Sequence, residues 1–318
     1  MHVEVLTPRT RRAGFGLNGI LDRLQFREGT MDQRRRTLVA GIASTAAVGS
    51  TVAQARNDIG AVWSGTTTYE GIPIGWIEPK DQKASTPVVI WLGGGISPYE
   101  ANGPMLARLA REGYIAVSFD SVGRGKRMTE SVESLFGRIW ENWPRIAWPY
   151  LGVGALETQR VLDWATGKWG ATSRFAVGGF SFGADIAVTA AGLDKSLTCV
   201  AAVSASPDWI RPDVKVNGKP VKDGSPDAMA RYDYDHLNPV ANLARYQHQP
   251  AITFECGEQD THCPPERARR FVAALQGTYG PDTGRLRVSM HPSTGHEYTD
   301  AMATSCVAWF RRFVPTEV

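Results

Sequence analysis

From residue 60 onwards the chain alternates short apolar runs with helical segments, and that alternation restricts the fold more than any other feature. Residues 66–69 and 72–77 read as two short strands joined at Gly71. Residues 87–92 are apolar throughout, the pattern of a strand covered on both faces. A Gly93-Gly94-Gly95 turn leads to a helix around residues 99–112, and residues 115–119 form the next strand. Residues 121–150 read as irregular. Beyond them a helix (154–164), a strand (175–179), a helix (182–191) and a strand (199–204) follow. The insertion 206–247 shows no sustained helical period. A strand (251–256), a helix (265–275), a strand (286–290) and a final helix (299–313) complete the pattern. Alternating units of this kind predict an α/β fold, a mostly parallel, doubly wound sheet with helices on both faces.

Charge is distributed unevenly. Residues 1–55 hold eight arginines against four acidic residues, whereas the other 263 residues carry 27 basic and 28 acidic groups. The body of the chain therefore has no basic excess to bind a phosphate backbone, and a nucleic-acid partner is not expected. Arg34-Arg35-Arg36-Thr37-Leu38-Val39 precedes an uncharged stretch, residues 38–54, rich in Ala, Gly, Ser and Thr. It closes on Ala53-Gln54-Ala55, a small-x-small site for a peptidase to cut before Arg56. This segment, 31–55, resembles a twin-arginine export signal. It is shorter than the ~20 apolar residues of a membrane span, so a periplasmic or secreted location without stable membrane insertion is expected. Residues 1–30 are expected to be an unstructured or non-native leader upstream of a start at Met31. Residues 56–318 should form one domain.

Gly178-Gly179-Phe180-Ser181-Phe182-Gly183 places Gly-x-Ser-x-Gly between a predicted strand and a predicted helix. A tight strand-to-helix turn thrusts such a serine above the sheet, and side chains at the flanking glycines would clash. Serine needs a base held by an acid. His296 lies in the loop between the last strand and the last helix. Asp260 follows the strand ending at Cys256, with Glu258 as the competing acid. The order Ser181, Asp260, His296 is that of one known triad arrangement, and each residue follows a strand, at the edge where open α/β sheets bind ligands.

These segments resemble the α/β-hydrolases, and are similar to the single-domain esterases near dienelactone hydrolase and the prolyl oligopeptidase catalytic domain. The residues that carry the likeness are Trp91-Leu92-Gly93-Gly94-Gly95, Phe119-Asp120-Ser121-Val122-Gly123-Arg124-Gly125, Gly179-Phe180-Ser181-Phe182-Gly183, Gly257-Glu258-Gln259-Asp260 and Gly295-His296, within residues 65–315. The resemblance implies a serine esterase working through an acyl-enzyme. Its oxyanion donors would be the amides of Phe182 and Gly94, and Asp120 with Arg124 would form a salt-linked turn. No metal or organic cofactor is implied. The rival readings are a peptidase or amidase of prolyl oligopeptidase type and a catalytically silent binding protein. The insertion is too short and too polar for the apolar cap of a lipase, so soluble short-chain or aromatic esters are the expected small-molecule substrates. Trp140, Trp143, Trp148 and Tyr150 either wall the pocket or seal the core, and Trp140, Trp143 and Trp209 are the candidate substrate contacts. Four cysteines in an exported chain admit a Cys256–Cys263 bridge, against buried free thiols, which suit Cys199.

Overall fold

The computed structural model describes residues 62–170, 175–211, 214–216, 219–220, 224–280 and 284–316; the leader and signal assigned to residues 1–55 lie outside the described residues. In chain order the strands are β1 (Gly65–Tyr69), β2 (Ile72–Ile77), β3 (Val88–Leu92), β4 (Ile115–Phe119), β5 (Phe175–Phe180), β6 (Leu197–Val203), β7 (Lys215–Val216), β8 (Lys219–Pro220), β9 (Ala251–Gly257) and β10 (Leu286–His291). The helices are α1 (Gly103–Arg111), α2 (Val132–Glu141), α3 (Trp143–Trp169), α4 (Phe182–Leu193), α5 (Ala228–Leu237), α6 (Pro265–Tyr279) and α7 (Asp300–Phe313). Eight strands make one sheet in the order β1-β2-β4-β3-β5-β6-β9-β10, and β7 and β8 form a separate hairpin within the insertion. The β1–β2 and β2–β4 pairs are antiparallel and the remaining pairs of the large sheet are parallel.

The period-two alternation of the central strands divides the core in two. In β3, Val88, Ile90 and Leu92 pack on the face covered by α2, α3, α4 and α6. Val89 and Trp91 face α1 and α7 on the other side. With helices on both faces β3 and β4 are buried throughout, which is why β3 reads as an unbroken apolar run and β4 as one interrupted only at Ser118. The doubly wound α/β-hydrolase architecture expected from sequence is the one observed.

Two expectations are corrected. Of residues 121–150, expected to be irregular, 132–141 and 143–150 are helical: Ser131 caps α2, its side chain accepting from the Ser134 amide, and Asn142 caps α3 by accepting from the Arg145 amide. Pro144 sits in the first turn of α3, where the missing N–H has no partner to lose, and this 27-residue helix continues through Pro149. The insertion also contains a helix. Asp227 caps α5, which packs against α3 and is followed by a 3-10 segment, Val240–Tyr246. Among the described residues no helix is long and apolar enough to cross a membrane.

Candidate active site

β5 ends at Phe180 and α4 begins at Phe182, so Ser181 alone turns the chain from strand to helix. It does so at φ 52° and ψ −121°, a left-handed conformation costly for any residue with a Cβ. The flanking glycines are required by contact. A Cβ on Gly179 would lie 2.6 Å from the Leu92 carbonyl oxygen, and one on Gly183 would lie 2.4 Å from that of Gly93. The elbow is therefore packed backbone to backbone on the end of β3. The Ser181 amide donates to the Val203 carbonyl (2.8 Å), which locks the turn to β6 as well.

His296 arrives from the loop after β10. Its Nε2 lies 2.8 Å from Ser181 Oγ, and its Nδ1 lies 2.9 Å from Asp260 Oδ2. The loops bearing the histidine and the acid are tied together, since the Gln259 amide donates to the Thr294 carbonyl (2.9 Å). Asp260 is buried, and the amides of His262 and Cys263 donate to its Oδ1 at 2.9 and 2.8 Å. Burial alone would raise its pKa, but the bonds from His296 and the Cys263 amide outweigh that and hold it below the usual carboxylate range. The carboxylate thus stays ionised, ready to fix the imidazole tautomer and stabilise an imidazolium. Glu258 is exposed, with its side chain outside this network. Below the triad, buried Glu255 accepts from Thr253, Arg287, His291 and Ser305, bracing β9, β10 and α7 under both loops.

The Gly93–Gly95 turn lies directly over the elbow. A Cβ on Gly94 would sit 2.7 Å from the Phe180 ring and 3.4 Å from Ser181 Cβ. Among the described residues, neither the Gly94 amide nor the Phe182 amide donates to another protein group. Two free N–H groups beside a serine at a helix N-terminus suit a developing oxyanion.

The fold has counterparts among solved structures. A Thermus thermophilus protein, TT1662, is similar in structure at TM-score 0.62 and 21% identity, over 80% of this chain and 99% of that one. The esterase Pf2001 of Pyrococcus furiosus is similar at 0.55 and 16%, over 81% and 96%. A Pyrococcus horikoshii acylaminoacyl peptidase is similar at 0.58 and 13%, over 78% of this chain but 40% of that larger one. No protein of curated function matches the sequence. The profile of the prolyl oligopeptidase family matches residues 157–314, and that of the Abhydrolase family matches residues 84–202. The chain belongs to the α/β-hydrolase superfamily.

In this α/β-hydrolase a cavity of about 1740 Å³ opens over Ser181 and His296. One wall is α2 with its approach, presenting Met128, Leu135, Phe136, Ile139 and Trp140, and Trp143 continues it. Trp140 and Trp143 stack at 5.6 Å, so two of the three tryptophans picked from sequence line the cavity. Trp209 does not. It is fully buried away from the cavity, where its carbonyl accepts from the indoles of Trp143 and Trp148 (2.8 and 2.9 Å). Of the described residues in the insertion, Arg211 alone reaches the cavity lining, so α2, not the insertion, makes the wall.

His262 is a site residue that the sequence reading passed over. Its ring stacks on His296 at 4.9 Å and meets Trp140 edge-on at 6.0 Å, and burial holds its pKa down to about 4. Its position two residues beyond Asp260 was the available signal. The Asp120–Arg124 salt link is also corrected. Asp120 instead accepts from the amides of Tyr99 (2.7 Å) and Lys126 (2.9 Å), while Arg124 donates to the Gly93 carbonyl. The Cys256–Cys263 bridge is absent. All four cysteines are free and buried, and burial pushes the Cys256 thiol up to about 12, leaving it a protonated packing group. Among the described residues no cluster of three His, Cys, Asp or Glu side chains is placed to hold a metal ion.

Proposed function

We propose that this α/β-hydrolase is a serine hydrolase that cleaves carboxylic esters through an acyl-enzyme on Ser181. The observation that carries the reading is the continuous chain Ser181 Oγ–His296–Asp260 beside two free amides. Ser181 attacks the ester carbonyl as His296 Nε2 takes its proton, and Asp260 stabilises the imidazolium. The tetrahedral oxygen lies against the Gly94 and Phe182 amides, each worth ~3 kcal/mol in the transition state. His296 returns the proton to the leaving alcohol, then activates the water that releases the acid.

The aromatic wall of Trp140, Trp143 and Phe136 favours compact or aromatic acyl and alcohol groups over long flexible chains. Without an apolar cap from the insertion, activity should not rise at an oil interface. A peptidase or amidase is the second reading, favoured by the prolyl oligopeptidase profile across residues 157–314. Export by the residue 31–55 signal belongs to the same proposal; N-terminal sequencing of exported material should find a start near Arg56. A fluorophosphonate probe should label Ser181, and p-nitrophenyl acetate and benzoate should be turned over faster than peptide anilides. An unlabelled serine would leave the chain a binding protein, and faster anilide cleavage would make it a peptidase.

A further inference from the structure

Arg124 is placed where a charge is expensive. It is 4% exposed, among the described residues no carboxylate forms an ion pair with it, and its Nη2 has no hydrogen-bond partner in the protein. Burial lowers the guanidinium pKa to about 10, opposed by the fields of Asp120, Asp185 and Glu157, so the group is still cationic at neutral pH. A fold needing only a filler here would do better with an apolar side chain. The loop nevertheless holds this arginine firmly. Gly123 and Gly125 on either side adopt φ 72° and 47°, and the Asp120 carboxylate binds the Lys126 amide at one end of the loop and the Tyr99 amide behind the glycine turn. Asp120 therefore keeps the arginine loop and the glycine turn in register.

The two contacts Arg124 makes explain its placement. Nη1 donates to the Gly93 carbonyl at 2.9 Å, and the guanidinium carbon lies 4.9 Å from the centre of the Phe182 ring. The Gly93 carbonyl and the Gly94 N–H are opposite ends of one trans peptide plane. A charged donor on the carbonyl fixes that plane and polarises it, making the N–H at its far end a stronger donor. On the other side, the cation holds the residue whose amide is the second free donor. Resting on the hydrolase reading above, we propose that Arg124 is a positioning residue of the oxyanion hole, orienting the Gly94 and Phe182 amides through the Gly93 carbonyl and the Phe182 ring.

The test compares Arg124→Gln and Arg124→Lys with the wild type, using p-nitrophenyl ester turnover per fluorophosphonate-titrated site and inhibition by an aryl trifluoromethyl ketone. The ketone adds to Ser181 and places an alkoxide in the hole. Deleting one donor outright lowers kcat by about 10²–10³; loosening two should lower it by about 10–50-fold in Arg124→Gln, with KM within about threefold. Ketone affinity should fall by the same factor as kcat. Arg124→Lys, which keeps the charge and a donor, should recover part of both losses, and the pH profile of kcat should not move. A kcat per titrated site within twofold of wild type, or a lowered kcat with ketone affinity intact, overturns the proposal. If Arg124→Gln does not fold, Arg124→Lys decides by the same comparison of ketone affinity against KM. A wild type that neither labels at Ser181 nor binds the ketone defeats the hydrolase reading and this proposal together, a pattern distinct from any variant result.

Discussion

Ser181 is held in a backbone conformation that its own side chain disfavours, and this separates its contribution to stability from its contribution to chemistry. Replacing it with glycine removes the Cβ that makes φ 52° costly, so Ser181→Gly should be more stable than Ser181→Ala by about 1 kcal/mol in urea unfolding. Both should lose about 10⁴ or more in kcat, because the three residues act as a unit. The acid is separable in the same way. Asp260→Asn should cost about 10²–10⁴ in kcat by releasing the tautomer, whereas the exposed Glu258→Gln should leave kcat within about twofold; steady-state kinetics on one ester would expose a reversed assignment. Ser181 and His296 could be read from the sequence because a strained turn needs small neighbours and because loops after strands converge on one edge. Asp260 was read from the triad order with Glu258 as its rival; the structure separates the two by burial, since Asp260 is buried and bonded to His296 whereas Glu258 is exposed. Trp209 was misjudged for a related reason. Indoles suit a pocket wall and a sealed core equally, and only its carbonyl's bonds to Trp143 and Trp148 identify it as core.

Among the elements, the central strands announced themselves, whereas α2, the first part of α3 and α5 did not. β3 and β4 are buried on both faces, so every position but Ser118, which accepts from the Asn102 side chain, is apolar and the runs stand out. In α2 and α3 the helical signal is broken by Gly137, Pro144, Pro149, Gly152 and Gly154, residues usually found in loops. Packing accounts for two of them. A Cβ on Gly152 would meet Leu237 at 2.8 Å and one on Gly154 would meet Ile186 at 2.6 Å, so these glycines let α5 and α4 approach α3 closely. The caps Ser131 and Asn142 were the signals that could have restored α2 and the start of α3. The consequence is functional, since α2 supplies the cavity wall. Trp140→Ala removes one ring of the stacked pair and its edge contact with His262. Losing an aromatic contact of about 1–1.5 kcal/mol should lower kcat/KM for p-nitrophenyl benzoate about tenfold while leaving acetate within about threefold. An equal loss on both esters would mean that the wall supports the triad and does not select the substrate.

At the scale of the whole molecule, the site is a set of buried titratable groups whose ionisation is coupled to folding. His262 makes the clearest case. The unfolded chain protonates this ring near its ordinary value of 6.5, but burial delays protonation in the folded state to about 4. Between those values the unfolded chain binds the extra proton, so stability falls as the pH is lowered through that window. The maximal slope is about 1.4 kcal/mol per pH unit, and partial exposure of the ring tempers the total to about 2 kcal/mol. Asp260 acts in the same direction at lower pH: its folded pKa lies below the ordinary value, so the stability it contributes at neutrality is lost as pH falls below the usual carboxylate range. His248, whose pKa is also lowered by burial, contributes a similar slope that is common to wild type and variant. His262→Gln should therefore lose less stability than wild type between pH 6.5 and 4.5 and track it below pH 4, as read by urea unfolding at half-unit steps. Parallel curves across the window would mean that the ring next to His296 is already charged at pH 5.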